Sequence, residues 1–534
     1  MELAVVPPST ERGQLEHRVF PLEDLSLGID TSTSSVNAPP GSSQEGTNNL
    51  IWLNGFLRPR AGLTDKHAVS DASTGEVVSM PIYREYSSPA SAYIDKLARI
   101  RKNGSSYTLE TEVSINPQVW STVSSGSLLS SPRGYPHITW TNFKGKLYIA
   151  GFDKLLEFSP GGGLVSVASQ QAVTVLQPQQ SPGIVAAGDA RLFIADCYDQ
   201  FSGQQVPGRV CWSDFNNARI WNGGEGGASS GSLDLPRLNR SVTGLAVGSS
   251  GLMIFTERET YLGSFVGSPK TYALGGYINN VGCVSHETIR AYRNGSYVWL
   301  GDDNVYIGAP GQMPQAIGDQ IRLRIRKAVN LAELARSTAH IDIANNLYHL
   351  FLPAVGNSNL TKVFTFNFKK PGWWEGELTL PVKCSSELRL GPWEYDHLLG
   401  GTAGKCYTSS YSYSRDLTTN FEARFKTSVM SSKNLFQGRA ELASYDWARV
   451  HASRPDNLTD SLSYVFWGSN GLDSWESKAS LQTQDLDGSD DKIAVSQRLQ
   501  KENFYLELYN TDARQFPFIS RIEFGATPMG NVRR

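Results

Sequence analysis

Thr243-Gly244-Leu245-Ala246-Val247, a turn at Ser250-Gly251, then Leu252-Met253-Ile254-Phe255 reads as one apolar β-hairpin. The same grammar returns along the chain. His137-Ile138-Thr139-Trp140 turns at Lys144-Gly145 into Leu147-Tyr148-Ile149-Ala150. Tyr297-Val298-Trp299-Leu300 turns at Gly301-Asp302-Asp303-Asn304 into Val305-Tyr306-Ile307. Similar units start near Ile138, Ile184, Val242, Ile289, Ala339 and Leu388. Their spacing is roughly 45–60 residues, the size of one four-stranded propeller blade. A single blade cannot bury both its faces, so the units must stack into a ring.

The expected fold is therefore all-β: a β-propeller of about six blades with an extended N-terminal arm and a C-terminal β-sandwich. Residues 1–76 form the arm and a hairpin at Asn54-Gly55. Residues 77–416 form the propeller, beginning with Val77 to Tyr86, Lys96 to Arg101, an Asn103-Gly104 turn and Tyr107 to Val113. Ring closure can borrow a strand from either end of the array. Residues 417–534 lose the repeat but keep alternating strands, such as Leu462 to Trp467 and Phe518 to Phe524, and are expected to form the sandwich.

One segment breaks the pattern. Residues 319–337 place Ile321, Ile325, Ala328, Val329, Ala332 and Ala335 at helical spacing, with Asp319 as a capping residue. Arg322, Arg324, Arg326 and Lys327 crowd into it. Such a charge run reads first as a solvated face. Its functional reading is a channel wall or a contact with a neighbouring subunit.

Composition narrows the function. The net charge is −2 and charged residues are 19% of the 534, so no whole-chain basic signal points to nucleic acid or an anionic membrane. No apolar run is long enough for a membrane helix, and Met1 to Thr10 lacks the form of a secretory signal. The five cysteines, Cys197, Cys211, Cys283, Cys384 and Cys406, include no C-x-x-C pair and read as buried thiols of a protein made in a reducing cytosol.

No catalytic, metal or cofactor site is expected. Phosphate-loop, dinucleotide and H-E-x-x-H signatures are missing, and the eight histidines are scattered. Gly227-Ala228-Ser229-Ser230-Gly231 has the letters of a nucleophile elbow but sits in a Gly/Ser loop. Asp485 to Asp491 lacks the closing acid of a calcium loop. Asp302 and Asp303 read as turn residues. Glu257 and Glu259, on one side of an extended chain, are the nearest thing to an acid–base pair. Ser213-Asp214 to Trp221 approaches a sialidase-type repeat once, with the wrong spacing.

The stretch Gly28-Ile29-Asp30 … Asn48-Asn49-Leu50 … Asn54-Gly55-Phe56-Leu57-Arg58-Pro59-Arg60-Ala61-Gly62 resembles the opening of the tail nozzle proteins of short-tailed bacteriophages, also called tail tubular protein B or phage stabilisation proteins. Val210-Cys211-Trp212-Ser213-Asp214 with Ile220-Trp221, Leu252 to Glu257 with Tyr261, Gly282 to Ser285, Gly301 to Tyr306, Tyr505 to Leu508 and Ile519 to Phe524 are similar to the later blades and sandwich of that family. The resemblance implies a structural virion protein, assembled in the host cytoplasm into the tail. It implies a homo-hexamer on a head-to-tail adaptor ring, meeting tail fibres or a tail plug or needle. Genomic double-stranded DNA would pass through its channel without sequence readout, and no stable membrane anchor is involved. The alternative is a carbohydrate-binding propeller acting as a receptor-binding tail protein, whose mark would be Trp373-Trp374 or Trp393 exposed on a rim. A propeller glycosidase is the enzyme rival.

Overall fold

The structure of the chain is a computed structural model. It describes residues 18–22, 24–32, 37–67, 74–87, 92–115, 118–125, 129, 137–167, 182–199, 204–221, 229–236, 240–248, 251–267, 270–391, 394–435, 442–453, 460–470, 475–477, 482–486, 491–492 and 499–529. The chain divides into two compact units, Arg60–Phe421 and Met1–Pro59 with Glu422–Arg534.

The first unit is a β-propeller of antiparallel sheets. Blade 1 spans residues 76–125, with Glu76–Ser79 and Ile82–Ser87 both pairing Ala92–Asn103. Blades 2 to 5 span 140–166, 184–234, 242–279 and 290–316, each a four-stranded meander. A nine-stranded sheet follows, and it is two blades joined by one strand. Trp373–Arg389 runs 17 residues. Trp373 to Glu377 pairs with Leu360–Asn367 to complete blade 6, and Val382 to Arg389 pairs with Tyr395–Gly401 to begin blade 7. Cys406–Ser410 follows, and Gly62–Asp65 supplies the outer strand of blade 7.

The ring thus has seven blades, not about six, and a strand from before blade 1 closes it. The continuous strand Trp373–Arg389 hides a blade boundary, because the chain runs on as one strand past Gly376 and Pro381, where one blade ends and the next begins.

Seven apolar clusters fill the seven interfaces. Ile100 and Leu109 meet Leu147 and Ile149 between blades 1 and 2; Tyr148 and Ala150 meet Val185 and Ile194 between 2 and 3. Phe193 and Trp212 meet Leu245 and Ile254, and Met253 and Phe255 meet Trp299 and Tyr306. Val298 and Leu300 meet Ile341 and Leu350, then Phe351 and Val363 meet Leu399 and Tyr407. Leu388 and Leu398 of blade 7 meet Val77 and Leu97 of blade 1, which shuts the circle. Each large apolar side chain so buried contributes about 1.5–3 kcal/mol. The alternation of the hairpins is what presents one apolar row to each neighbouring blade. Their turns follow the sequence too: Lys144 and Gly145 both have positive φ (50° and 73°), as a tight two-residue hairpin turn requires.

The helical segment forms in pieces. Asp319–Ile321 is a 3-10 turn, Arg322–Ala328 an α-helix and Leu331–Arg336 a second 3-10 turn. Val329 is extended (φ −115°, ψ 144°) and breaks the helix. Of the expected apolar face only Ile321, Ile325 and Val329 enter the core between blades 5 and 6, joined there by Leu334; Ala332 and Ala335 are exposed, because the helical spacing ends at Val329. Asp319 does not cap; its carboxylate accepts from Asn304 Nδ2 at 2.7 Å.

The second unit contains two sheets. One holds Leu50–Leu53, Phe56–Pro59, Phe518–Met529, Leu442–Ser453 and Asp491–Lys492, with Arg18–Leu22 on Phe518–Met529 and Leu499–Lys501 on Leu442–Ser453. The other is built on Ala423–Lys426, Asn503–Asn510 and Asp460–Ser469. Tyr445 of the first packs on Phe504 of the second, with ring centroids 3.6 Å apart, and Phe504 meets Phe524 at 5.3 Å. This is a β-sandwich.

The boundaries expected at 76 and 416 fall at Pro59/Arg60 and Phe421/Glu422. The N-terminal segment is less an arm than part of the sandwich. Its backbone bonds to the strand Ala423–Lys426, with Asn48 N donating to Arg424 O (2.8 Å) and Gln44 N to Lys426 O (3.1 Å). The polar Ser/Thr/Asn composition that reads as an arm satisfies those backbone groups instead.

Candidate functional site

The innermost strands of the propeller begin around one mouth of its axis. A cavity of about 230 Å³ lies there, walled by His137, Thr139, Ile184, Asp196, Thr243, Ser285 and His286 among others. At this cavity the segments leading into blades 2, 5 and 6 are tied together. His137, leading into blade 2, bonds through Nε2 to Ser337 O at 3.1 Å, although Ser337 leads into blade 6. Ser285 Oγ donates to the same carbonyl at 2.7 Å.

Asp196 reaches the mouth by a bulge. The pairing of Arg191–Asp199 with Gln204–Trp212 shifts register between Ala195 and Cys197, and Asp196 takes φ 55°. Gln205 Nε2 donates to its carbonyl (2.6 Å) and carboxylate (2.5 Å).

Further along the axis the wall between blades 5, 6 and 7 is ionisable. Arg290 pairs with Glu287 at 3.1 Å, and Glu387 accepts from the backbone of Ile341. His286, Glu287, Arg290 and Glu387 are each half-buried. Burial pushes the Glu387 carboxyl up, with Arg290 opposing it. Glu287 is held below the usual carboxylate range: burial alone would raise it, but Arg290 and the nearby histidines outweigh that.

Three of the eight histidines, expected to be scattered, meet between blades 6 and 7. His340 stacks on His397 (centroids 4.7 Å, interplanar angle 16°) and lies 4.8 Å from His349. Asp342 is 3.6 Å from His397, and His349 Nδ1 lies 2.9 Å from Thr365 Oγ1. Burial drives His349 down to about 4 and His340 well below its ordinary value. The rings stack rather than converge. Among the described residues no group of three or more His, Cys, Asp or Glu side chains is placed to hold a metal ion. The signal for this cluster was register: His340 and His349 are cross-strand partners, as are Glu387 and His397.

The cation-rich helix does not present four equivalent charges. Arg324 forms a two-pronged bond to Glu375 (2.6 and 2.8 Å) on the outermost strand of blade 6, and Lys362 also reaches Glu375 at 3.4 Å. Arg322 lies 3.7 Å from Asp303. Arg326 and Lys327 are exposed. Arg324 therefore braces the blade 5–6 joint, at the circumference rather than on the propeller's own axis. Replacing Arg324 with Gln is expected to cost about 2 kcal/mol by leaving Glu375, only 2% exposed, with Lys362 alone. Arg326→Gln should stay within about 0.5 kcal/mol. Thermal melts of the two variants check the contrast.

The remaining candidates resolve into structure. Glu257 is exposed while Glu259 is buried, because the chain turns between them. Glu259 is taken by Arg240 (3.0 Å) and the Tyr261 hydroxyl (2.7 Å). Ser229 Oγ donates to Asp214 (2.8 Å) and accepts from Arg191 (3.0 Å), with no histidine in that set. Asp303 accepts from the Tyr306 hydroxyl and Asp302 faces Arg258, both within the expected turn. Trp373 and Trp374 are fully buried. Trp393, Gly227, Ala228 and residues 487–490 of the acidic run lie outside the described residues. All five cysteines are buried free thiols; burial pushes Cys283 up to about 12 and Cys384 well above its ordinary value, which keeps both protonated and unreactive.

No family model matches the chain, and no curated protein does. Among solved structures, the Neurospora crassa Pan2 WD40 domain aligns over 66% of this chain and 95% of its own, at 9% identity and a TM-score of 0.38. A structure of BBS1N in complex with ARL6DN aligns over 66% and 97%, at 12% identity and a TM-score of 0.39. The fold of this chain rests on its own sheets: a β-propeller closed by its N-terminal strand.

Proposed function

We propose that this chain is a structural subunit of the tail nozzle of a short-tailed bacteriophage. In this reading six copies surround the tail axis, seated on the adaptor ring and carrying fibres or a plug. Double-stranded DNA passes between the copies.

The observation that carries the proposal is the place of the motif behind the family resemblance. Arg58-Pro59-Arg60-Ala61-Gly62 leads into the strand that closes the ring. Arg60 is bound there to Asp416 through both carboxylate oxygens (3.0 and 2.7 Å). A motif spent on ring closure suits a part that must resist pressure without doing chemistry. Closed sheets leave few edges for unwanted pairing. A near-neutral chain also suits DNA passage, since tight phosphate binding would stall it. Arg322, Arg326 and Lys327 remain the candidate contact to DNA or a neighbouring copy, without Arg324. The carbohydrate-binding alternative loses Trp373 and Trp374 as platforms, since both are buried.

Native mass spectrometry of the protein mixed with its adaptor ring, and electron microscopy of intact tails, test the proposal. Six copies around the axis are expected. Any other copy number, or a position off the tail axis, overturns it. In the same preparations Arg326→Gln/Lys327→Gln should weaken DNA retention or copy–copy contact with the fold intact.

A further inference from the structure

The cavity of about 230 Å³ at the propeller mouth has a wall whose hydrogen-bonding capacity is one-sided. Three of its hydroxyl protons are spent on the protein itself. Thr139 Oγ1 donates to Gly183 O (3.4 Å), Thr243 Oγ1 to Cys283 O (2.5 Å) and Ser285 Oγ to Ser337 O (2.7 Å). What these hydroxyls still offer is acceptor capacity. His137 is fixed in the same sense. Its Nε2 faces a carbonyl, Ser337 O, and so carries the ring proton, which leaves Nδ1 to accept. His286 supplies a donor: its Nδ1 accepts from Leu245 N at 3.3 Å, so the proton is on Nε2.

The charge of the wall is also one-sided. Asp196 is the one carboxylate among its described residues, and the bulge that brings it there leaves it 4% exposed. One bond from Gln205 does not exhaust a carboxylate, which offers about four acceptor sites. Burial holds His137 and His286 below their ordinary value, so both are neutral at pH 7. The charges around the cavity are matched in pairs: Arg290 with Glu287, Arg336 with Glu333 and Arg240 with Glu259. Ile184, Val242, Val284 and Ala335 supply apolar surface between the polar groups.

We propose that this cavity binds a small organic cation, an ammonium or guanidinium group on a short alkyl stem. The charged end, rich in donors, sits against Asp196 and the acceptors of Thr243, Ser285 and His137; the stem lies on the apolar walls. The volume is below the roughly 300–1,000 Å³ of sites for drug-sized ligands, which limits the occupant to a few heavy atoms. A phosphate or carboxylate would face lone pairs and a like charge. Among the described residues no three His, Cys, Asp or Glu side chains are placed for a metal ion, and a bare ion would leave the apolar walls unused. The cation can arrive as a free amine or as the Lys or Arg side chain of another protein.

Isothermal titration calorimetry of the full chain with n-butylammonium, n-butylguanidinium and the neutral match n-butanol tests the site. Both cations are expected to bind saturably and n-butanol not measurably. Asp196→Asn keeps the side-chain shape, the tolerance for positive φ and an acceptor for Gln205, and should weaken both cations about tenfold or more. Ala335→Trp, at an exposed part of the wall, should weaken them equally by filling the space. Circular dichroism confirms that each variant is folded. Capped Ala-Arg-Ala and Ala-Lys-Ala peptides separate the sources. Peptide binding as tight as that of the free cations, and lost in Asp196→Asn, assigns the site to a partner's side chain; binding of the free cations alone assigns it to a small amine. Binding of n-butanol as tight as that of the cations, binding of neither cation, or binding unchanged in either variant overturns the proposal.

Discussion

Asp416→Ala is expected to cost about 3–5 kcal/mol, the largest effect of any single substitution outside the apolar core. Asp416 is 0% exposed and accepts from four donors: two Arg60 nitrogens, the backbone N–H of Thr379 (2.9 Å) and its hydroxyl (3.1 Å). Arg60 also donates to Glu377 O at 2.7 Å and lies 3.9 Å over the Phe421 ring. These groups tie the strand that closes blade 7 to blade 6. Beside them Gly62 N donates to Tyr413 O, and a Cβ at Gly62 would meet Arg415 O at 2.4 Å, so the closing strand has no slack. Removing the carboxylate strands a guanidinium that is nearly out of solvent. Removing both partners is different. Arg60→Met with Asp416→Leu replaces a buried ion pair by apolar groups and should recover most of the loss. Urea melts of the two single variants and the double variant measure this. Equal losses in Asp416→Ala and the double variant would show that the seam needs the charge itself. Since the closing strand enters from the N-terminal side, the singles should also lose the steepness of the transition, as the ring opens before it melts.

The ring was legible in the sequence because its signal is local. The starts read near Ile138, Ile184, Val242 and Ala339 fall at or beside the strands Trp140–Phe143, Ile184–Gly188, Val242–Gly248 and Thr338–Asp342. Alternation and turn chemistry act over about ten residues, and a hairpin needs nothing more. The blade from Val77 and the six further starts already number seven, with Leu388 in the first strand of blade 7; the count of about six fell short because ring closure is not local. One continuous strand serves two blades, and the outer strand of the last comes from some 340 residues earlier in the chain, in the pairing of Tyr407 with Asp65. The arm was misjudged for the same reason: Asn48 meets Arg424 only after folding. The four cations were legible as a cluster, but not which of them is spoken for. Arg324 is neutralised by Glu375, 51 residues on, and spacing within the helix holds no trace of it. The axial groups were the least visible. His137 and Ser337 are 200 residues apart and meet across the ring.

Acidification is expected to weaken the propeller from about pH 6.5 downward, and four buried or half-buried histidines are the cause. His137, His286, His340 and His349 are all held below their ordinary value, first by burial. His286 and His349 fall to about 4. Between the ordinary histidine value and these lowered ones, the unfolded chain binds more protons than the folded one. Stability then rises with pH across that window and is lost as pH falls through it. His349 alone would account for about 3 kcal/mol by pH 4, and the half-buried His286, at the wall of the mouth cavity, for less. Around them stand Asp342, Glu287, Glu387, Arg290 and His397. Asp342 is held below its usual range, mainly by its bond to His397 against the cost of burial, so its contribution is lost only at pH below the histidine window. Glu387 works the other way. Its carboxyl is raised, so protonating it relieves a buried charge and adds stability as pH falls. One such group does not offset four histidines. Thermal melts at pH 7.5, 6.5, 5.5 and 4.5 should show a falling midpoint, steepest below 6. His349→Gln, which keeps a polar group facing Thr365 but cannot titrate, should flatten that slope while costing some stability at pH 7.5. An unchanged slope in His349→Gln would move the cause away from the blade 6–7 cluster.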